Sequence, residues 1–155
     1  MRIVVNGKLS VMFRSKPPFD GHWCTLDTNE PVEVGMVLKA TIVGTQTNPL
    51  EGGEQGASGA RGREIVAWRG IDGVLVISEA RCPHQFVHLA SSGTVDGCEL
   101  VCTAHFWRLT AQGEGSVRDT MGRREQVSAL RVFSTVQILG KIWAYLPASF
   151  VVVAA

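Results

Sequence analysis

Cysteine and histidine stand close together twice in this chain, as Cys82-Pro-His84 and as Cys102-Thr-Ala-His105, with 17 residues between the two groups. Each group lies where strand-like sequence gives way to a turn. A fold that uses both must therefore hold two short loops side by side, each offering one thiolate and one imidazole.

The surrounding pattern supplies hairpins for those loops. Glu64 to Trp68 and Val74 to Ser78 flank Ile71-Asp72-Gly73, and Asp96-Gly97 precedes Glu99-Leu-Val-Cys102. Aspartate before glycine suits the positive backbone angles of tight hairpin turns. Gly140-Lys141 separates Val132 to Leu139 from Ile142 to Leu146 in a similar way, and Val32, Val34, Met36, Leu38, Ala40 and Ile42 follow the alternation of a strand. Short strands with regular turns predict an antiparallel all-β domain. No long stretch has helical amphipathicity, although Ser128 to Leu130 can form a single turn.

Lys16-Pro17-Pro18 cannot continue a helix or a central strand, so residues 1–20 are read as an N-terminal extension with room for one added strand. Residues 21–150 form the domain. Within it, Gly44 to Gly62 holds six glycines and a proline and is read as a flexible insertion, because it has too little apolar matter to be fixed in a core.

At 155 residues, 45% hydrophobic and 19% charged, the chain has the makings of one globular domain with a core. Its 15 lysines and arginines nearly balance 14 acidic residues, which gives no footprint for nucleic acid or an anionic membrane surface. The opening apolar run breaks at Asn6, too early for a secretory signal. Ala148 to Ala155 is far shorter than the roughly 20 residues of a membrane span. The reading is a soluble, cytoplasmic protein. Four cysteines in such a chain point to metal binding or burial rather than to disulfides.

Two soft thiolates and two imidazoles are the stock that a 2Fe-2S centre of mixed ligation requires, thiolates on the inner iron and imidazoles on the outer one. A structural zinc site competes, but zinc modules usually pair cysteines in one knuckle and histidines in the other. Cys24 and Cys98 read as buried or half-buried strand thiols, and His88 as a surface histidine. His22 reads as packed in the sheet, and Trp68, Trp143 and Tyr145 as core or edge aromatics.

The two boxes resemble the Rieske family, whose pattern is Cys-x-His, roughly 15 to 20 residues, then Cys-x-x-His. Pro83, Leu89, Asp96-Gly97 and Trp107 extend the resemblance, which runs from Trp23 to Pro147. It implies an antiparallel fold of stacked small sheets, with a cluster-binding subdomain of two hairpin loops at 80–110. It also implies one 2Fe-2S cluster per chain, held by Cys82, His84, Cys102 and His105. Two thiolates cancel the charge of an oxidised cluster core, which places such centres at roughly −150 to +300 mV. Val87 and Ala104 stand where high-potential members carry a disulfide, and Trp107 where they carry a serine, so the chain resembles the low-potential ferredoxin and ring-hydroxylating oxygenase branch. Phe86 and Phe106 depart from the pattern, for many relatives have glycine there, free to adopt positive backbone angles. Their rings are read as an apolar collar around the cluster.

The resemblance implies a one-electron carrier, a ferredoxin passing electrons from a ferredoxin reductase to a terminal oxygenase or similar acceptor. It is not catalytic alone: with His84 and His105 committed, only His22 and His88 remain for a mononuclear iron. Two alternatives stay open, the subunit through which electrons enter a fixed oxidoreductase complex, and a structural or redox-sensing module. Arg81 and Arg108 flank the boxes and predict an acidic partner face, met through a weak and partly salt-dependent interface.

Overall fold

The computed structural model of the chain describes residues 4–5, 8–9, 21–46, 55–56 and 64–150. Its contacts divide the chain into two compact units, one made of Met1–Asp27, Ile42–Arg63 and Ser134–Ala155, the other of Thr28–Thr41 and Glu64–Phe133.

In the first unit, β1 (Val4–Val5) pairs with β2 (Lys8–Leu9), within the predicted extension. Strand β3 (Gly21–Asp27) has four consecutive buried residues, Trp23 to Leu26, so both of its faces are covered. The thiol of Cys24 lies there, fully buried, and burial pushes its pKa up to about 12. Strand β4 (Val37–Gln46) belongs to both units: Val37 to Ala40 pair in the second, while Gly44 and Thr45 pair with β5 (Gln55–Gly56) in the first. The predicted insertion thus begins and partly continues as strand; residues 47–54 and 57–63 lie outside the described residues.

In the second unit, Val37 to Ala40 pair with β6 (Ile65–Arg69), which pairs in turn with β7 (Leu75–Glu79). The Asp72-Gly73 turn is where the sequence puts it, with Gly73 at a φ of 79°. The alternation read from Val32 becomes strand only at Val37. Before it, Gly35 turns at a φ of 85° and its N–H donates to the Arg69 carbonyl. A single helical turn, α1 (Leu89–Ser92), follows the first box, where the residue pattern predicts none. The side chain of His88 caps it, Nδ1 accepting from the Ala90 N–H at 3.1 Å. The turn predicted at Ser128 to Leu130 does not form; that stretch belongs to no helix or strand, and its Leu130 N–H donates to the Gly113 carbonyl.

A five-stranded antiparallel sheet carries the second box: β8 (Gly93–Asp96), β9 (Glu99–Cys102), β10 (Arg108–Leu109), β11 (Gly115–Arg118) and β12 (Arg124–Val127), each paired with the next. Gly97 and Cys98 form the β8–β9 turn. Cys98 is therefore exposed, not a strand thiol, because the register pairs Asp96 with Glu99 and leaves it at the tip. Gly93 is required where α1 meets β8, because a Cβ there would meet the Leu89 carbonyl oxygen at 2.4 Å. The stretch read as one strand from Val132 splits, β13 (Val132–Phe133) pairing with β7 in this unit. Its remainder, β14 (Thr135–Ile138), pairs with β15 (Lys141–Pro147) in the first unit through a turn at Leu139 and Gly140. There β15 also pairs with β3, and Trp23, Val136, Trp143 and Tyr145 pack together.

The core of the second unit gathers Val66, Trp68, Val76, Leu89, Leu100, Leu109 and Leu130 around Cys82 and Cys102. Burying each leucine stabilises the fold by roughly 2 kcal/mol. The two thiols thus belong to the core, whose packing fixes the bases of both loops.

Candidate metal centre

Both boxes close in the same way. The N–H of Phe86 donates to the Cys82 carbonyl at 2.8 Å, and the N–H of Cys82 to the Val87 carbonyl at 3.0 Å. In the second loop the N–H of Phe106 donates to the Cys102 carbonyl at 2.7 Å, and the N–H of Cys102 to the Trp107 carbonyl at 2.9 Å. Each loop is six residues, cysteine first, with phenylalanine fifth. To turn back, that fifth residue takes a left-handed conformation, φ 59° at Phe86 and 62° at Phe106. Glycine adopts it freely, while a residue with a Cβ is strained by roughly 1–2 kcal/mol. The departure noted in the sequence is therefore a departure of side chain alone, since the backbone keeps the shape glycine would take.

The frame puts the cysteines inward and the histidines outward. Cys82 and Cys102 are each 1% exposed, whereas His84 and His105 are exposed. The two thiols lie within hydrogen-bonding reach of each other, and the N–H groups of His84 and Gln85 point at the Cys82 sulfur. Burial is the main cause that pushes the Cys82 thiol up, and Cys102 adds to it; the two N–H groups oppose both. The imidazoles meet edge to face with centroids 4.6 Å apart, and Trp107 stacks on His84 at 4.7 Å and 17°. A residue of the second loop thus steadies the histidine of the first. Thr103 adds a tie, its N–H and hydroxyl both donating to the Ser92 carbonyl at 2.7 and 2.8 Å.

Charged groups brace the loops from outside. Arg81 donates twice to Glu64, at 3.0 and 2.6 Å, and once to the Phe86 carbonyl at 3.2 Å. Its guanidinium holds the Glu64 carboxyl below the usual carboxylate range. His88 faces the same carboxylate at 3.7 Å, and burial lowers its pKa. Arg108 pairs with Asp96 at 2.6 Å and with Glu99 at 3.1 Å, and Arg124 reaches Glu99 at 2.8 Å. Arg124 first, then Arg108, hold the Glu99 carboxyl low. Both arginines read from the sequence as contacts for an acidic partner are thus engaged by carboxylates of this chain. Sequence reasoning missed Glu64, which lies 17 residues from Arg81, and the capping role of His88. An arginine next to a cysteine box is a local signal, but a partner so far away along the chain leaves none.

The donors suit a binuclear centre: two buried thiols that reach one another can share one metal ion, and two exposed imidazoles in mutual contact can share a second. N–H groups aimed at sulfur suit a thiolate, since hydrogen bonds to the charged form favour it.

Residues 40–134, more than half of the chain, match the Rieske [2Fe-2S] domain family. The chain belongs to that family, and its cofactor is a 2Fe-2S cluster. It is 26% identical over 129 residues to the cholesterol 7-desaturase nvd of Bombyx mori, an alignment covering 83% of this chain and 24% of that protein. With the oxygenase subunit of 3-chlorobenzoate-3,4-dioxygenase from Comamonas testosteroni it shares 31% identity over 89 residues, 55% of this chain and 20% of the relative. The terminal oxygenase of carbazole 1,9a-dioxygenase from Novosphingobium sp. KA1 has a similar fold, with a TM-score of 0.57 at 18% identity over 83% of this chain and 31% of that one. The chain spans about a quarter or less of the length of these curated relatives. Among the described residues, no helix is long and apolar enough to cross a membrane.

Proposed function

We propose that Cys82 and Cys102 bind one iron of the cluster and His84 and His105 the other, and that the chain carries single electrons to an oxygenase centre. Bound there, the cluster supplies a reversible one-electron couple at a potential set by its mixed ligands. The observation that carries this reading is the burial gradient: the thiols sit in the core and the imidazoles at the surface. The core-packed cysteines hold the metal in place and keep water from the sulfurs. The exposed histidines offer the short route out, and Trp107 holds the ring of His84 in one orientation. The oxygenases among the relatives support an oxygenase as the acceptor.

In the ferredoxin form of this proposal, a reductase supplies the electron and the chain meets its partners transiently in the cytoplasm. A second form has this Rieske unit as the part of an oxygenase assembly through which electrons enter. It is favoured by the relatives, each an oxygenase or desaturase of which this chain spans a small share. Stoichiometric co-purification with a large subunit supports the second form and sinks the first.

The test of the centre itself is electron paramagnetic resonance on anaerobically purified, dithionite-reduced protein, with metal analysis of the same sample. A rhombic signal with an average g below the free-electron value, imidazole nitrogen couplings and about two irons per chain are expected. Zinc, or no metal, would end the electron-carrier reading.

A further inference from the structure

Phe86 and Phe106 are exposed to 69% and 67%, at the matching fifth position of the two loops, and both hold a left-handed φ that glycine would adopt without strain. Strained backbone persists where something else gains by it. Neither ring is among the side chains packed against the core around the two cysteines, so the gain is not in core packing. Each ring lies within two residues of an exposed imidazole.

The charges beside the loops decide what such rings can meet. Arg81 is bound to Glu64, and Arg108 to Asp96 and Glu99. The cations next to the boxes are therefore neutralised within the chain, and an acidic partner face would have to break those pairs to gain from them. Exposed apolar surface framed by satisfied ion pairs complements an uncharged apolar face.

From this we infer that Phe86 and Phe106 are the docking contacts of the electron-transfer partner, seating an apolar, uncharged face over the imidazole edge, so that association depends little on ionic strength. The inference rests on the proposed placement of the cluster. It also reverses the acidic partner expected from the sequence.

The probe is the full chain with its cluster, because a second copy presents the apolar face in question. Electron self-exchange is read from NMR line broadening of mixed oxidised and reduced protein, at about 20 mM and about 500 mM salt. For the wild type, a rate that changes by less than about twofold between them is expected. Phe86→Gly with Phe106→Gly keeps the left-handed backbone, so the fold is retained, and should slow exchange about tenfold with reduction potential and paramagnetic signal unchanged. Phe86→Leu with Phe106→Leu, which keeps apolar bulk, should restore most of the rate. A tenfold salt dependence in the wild type, or an unchanged rate in the glycine variant, overturns the inference. So does a shifted potential in that variant, which would make the rings tuners of the cluster. A stable dimer that dissociates in the glycine variant overturns it too, since the occupant would then be a second copy. A wild type without the cluster signal fails the functional reading instead, and is recognised before any rate is measured.

Discussion

The two cysteine–histidine loops share a backbone and differ in their supports. Both run six residues from a buried cysteine, with the same pair of closing hydrogen bonds and the same left-handed fifth residue. The first is braced by side chains, namely the Arg81–Glu64 pair, which is largely exposed, and the His88 cap of α1. The second grows out of a sheet strand at Cys102 and returns into one at Arg108, beside the half-buried Glu99 with its two arginines. The difference teaches that the loop's shape is set within the loop, while its rigidity is supplied from outside. It also gives the loops a direction of dependence, for Trp107 of the sheet-grown loop supports His84 of the other.

The largest test removes what the loops share. Cys82→Ala and Cys102→Ala should each abolish the cluster, seen as loss of visible absorption and of bound iron, with no difference between the loops. Trp107→Ala breaks the symmetry next. It should cost about 2 kcal/mol in denaturant unfolding, and it should disturb the nitrogen couplings of His84 more than those of His105. Val87→Ala, at the equivalent position, should cost about 1 kcal/mol and leave both sets of couplings alone. Phe86→Gly and Phe106→Gly should each raise stability by up to about 1 kcal/mol, equally in the two loops, because the same strain is relieved twice.

The smallest effects come from the braces. Glu99→Gln should cost about 1 kcal/mol, and Glu64→Gln about 0.3 kcal/mol, because the Glu64 pair is exposed and screened. Both carboxyls are held below their ordinary value of 4.5 in the folded protein. The stability they contribute is therefore fully present above pH 4.5 and is lost as pH falls through the lower folded values. Denaturant midpoints measured from pH 7 down to 3 should fall less steeply in Glu99→Gln than in the wild type, and Glu64→Gln should change the profile less.

The sequence announced the parts of this structure that local spacing encodes. The two boxes, the glycine turns at Gly73 and Gly97 and most strands follow from residues within a few positions of one another. Contacts across the sheet were not legible. Arg81 looked like a free cation because Glu64 approaches it from 17 residues away, just ahead of β6, and Trp107 marked a family without showing that it lies against His84. Helix α1 escaped because four residues carry no periodicity, its start being set by a histidine rather than by a usual capping residue. Cys98 was misplaced because it was read as part of the strand that begins at Glu99, whereas it belongs to the two-residue turn ahead of it.

One feature of the loops separates two properties usually bound together. The closing bonds join cysteine to the fifth and sixth residues, yet the histidine stands third in one loop and fourth in the other. The scaffold is indifferent to which of these two positions carries the imidazole. For a protein engineer each loop is thus a fixed bracket with a sliding fitting, in which an imidazole stands at either of two adjacent positions while the bracket's own fastenings are the same.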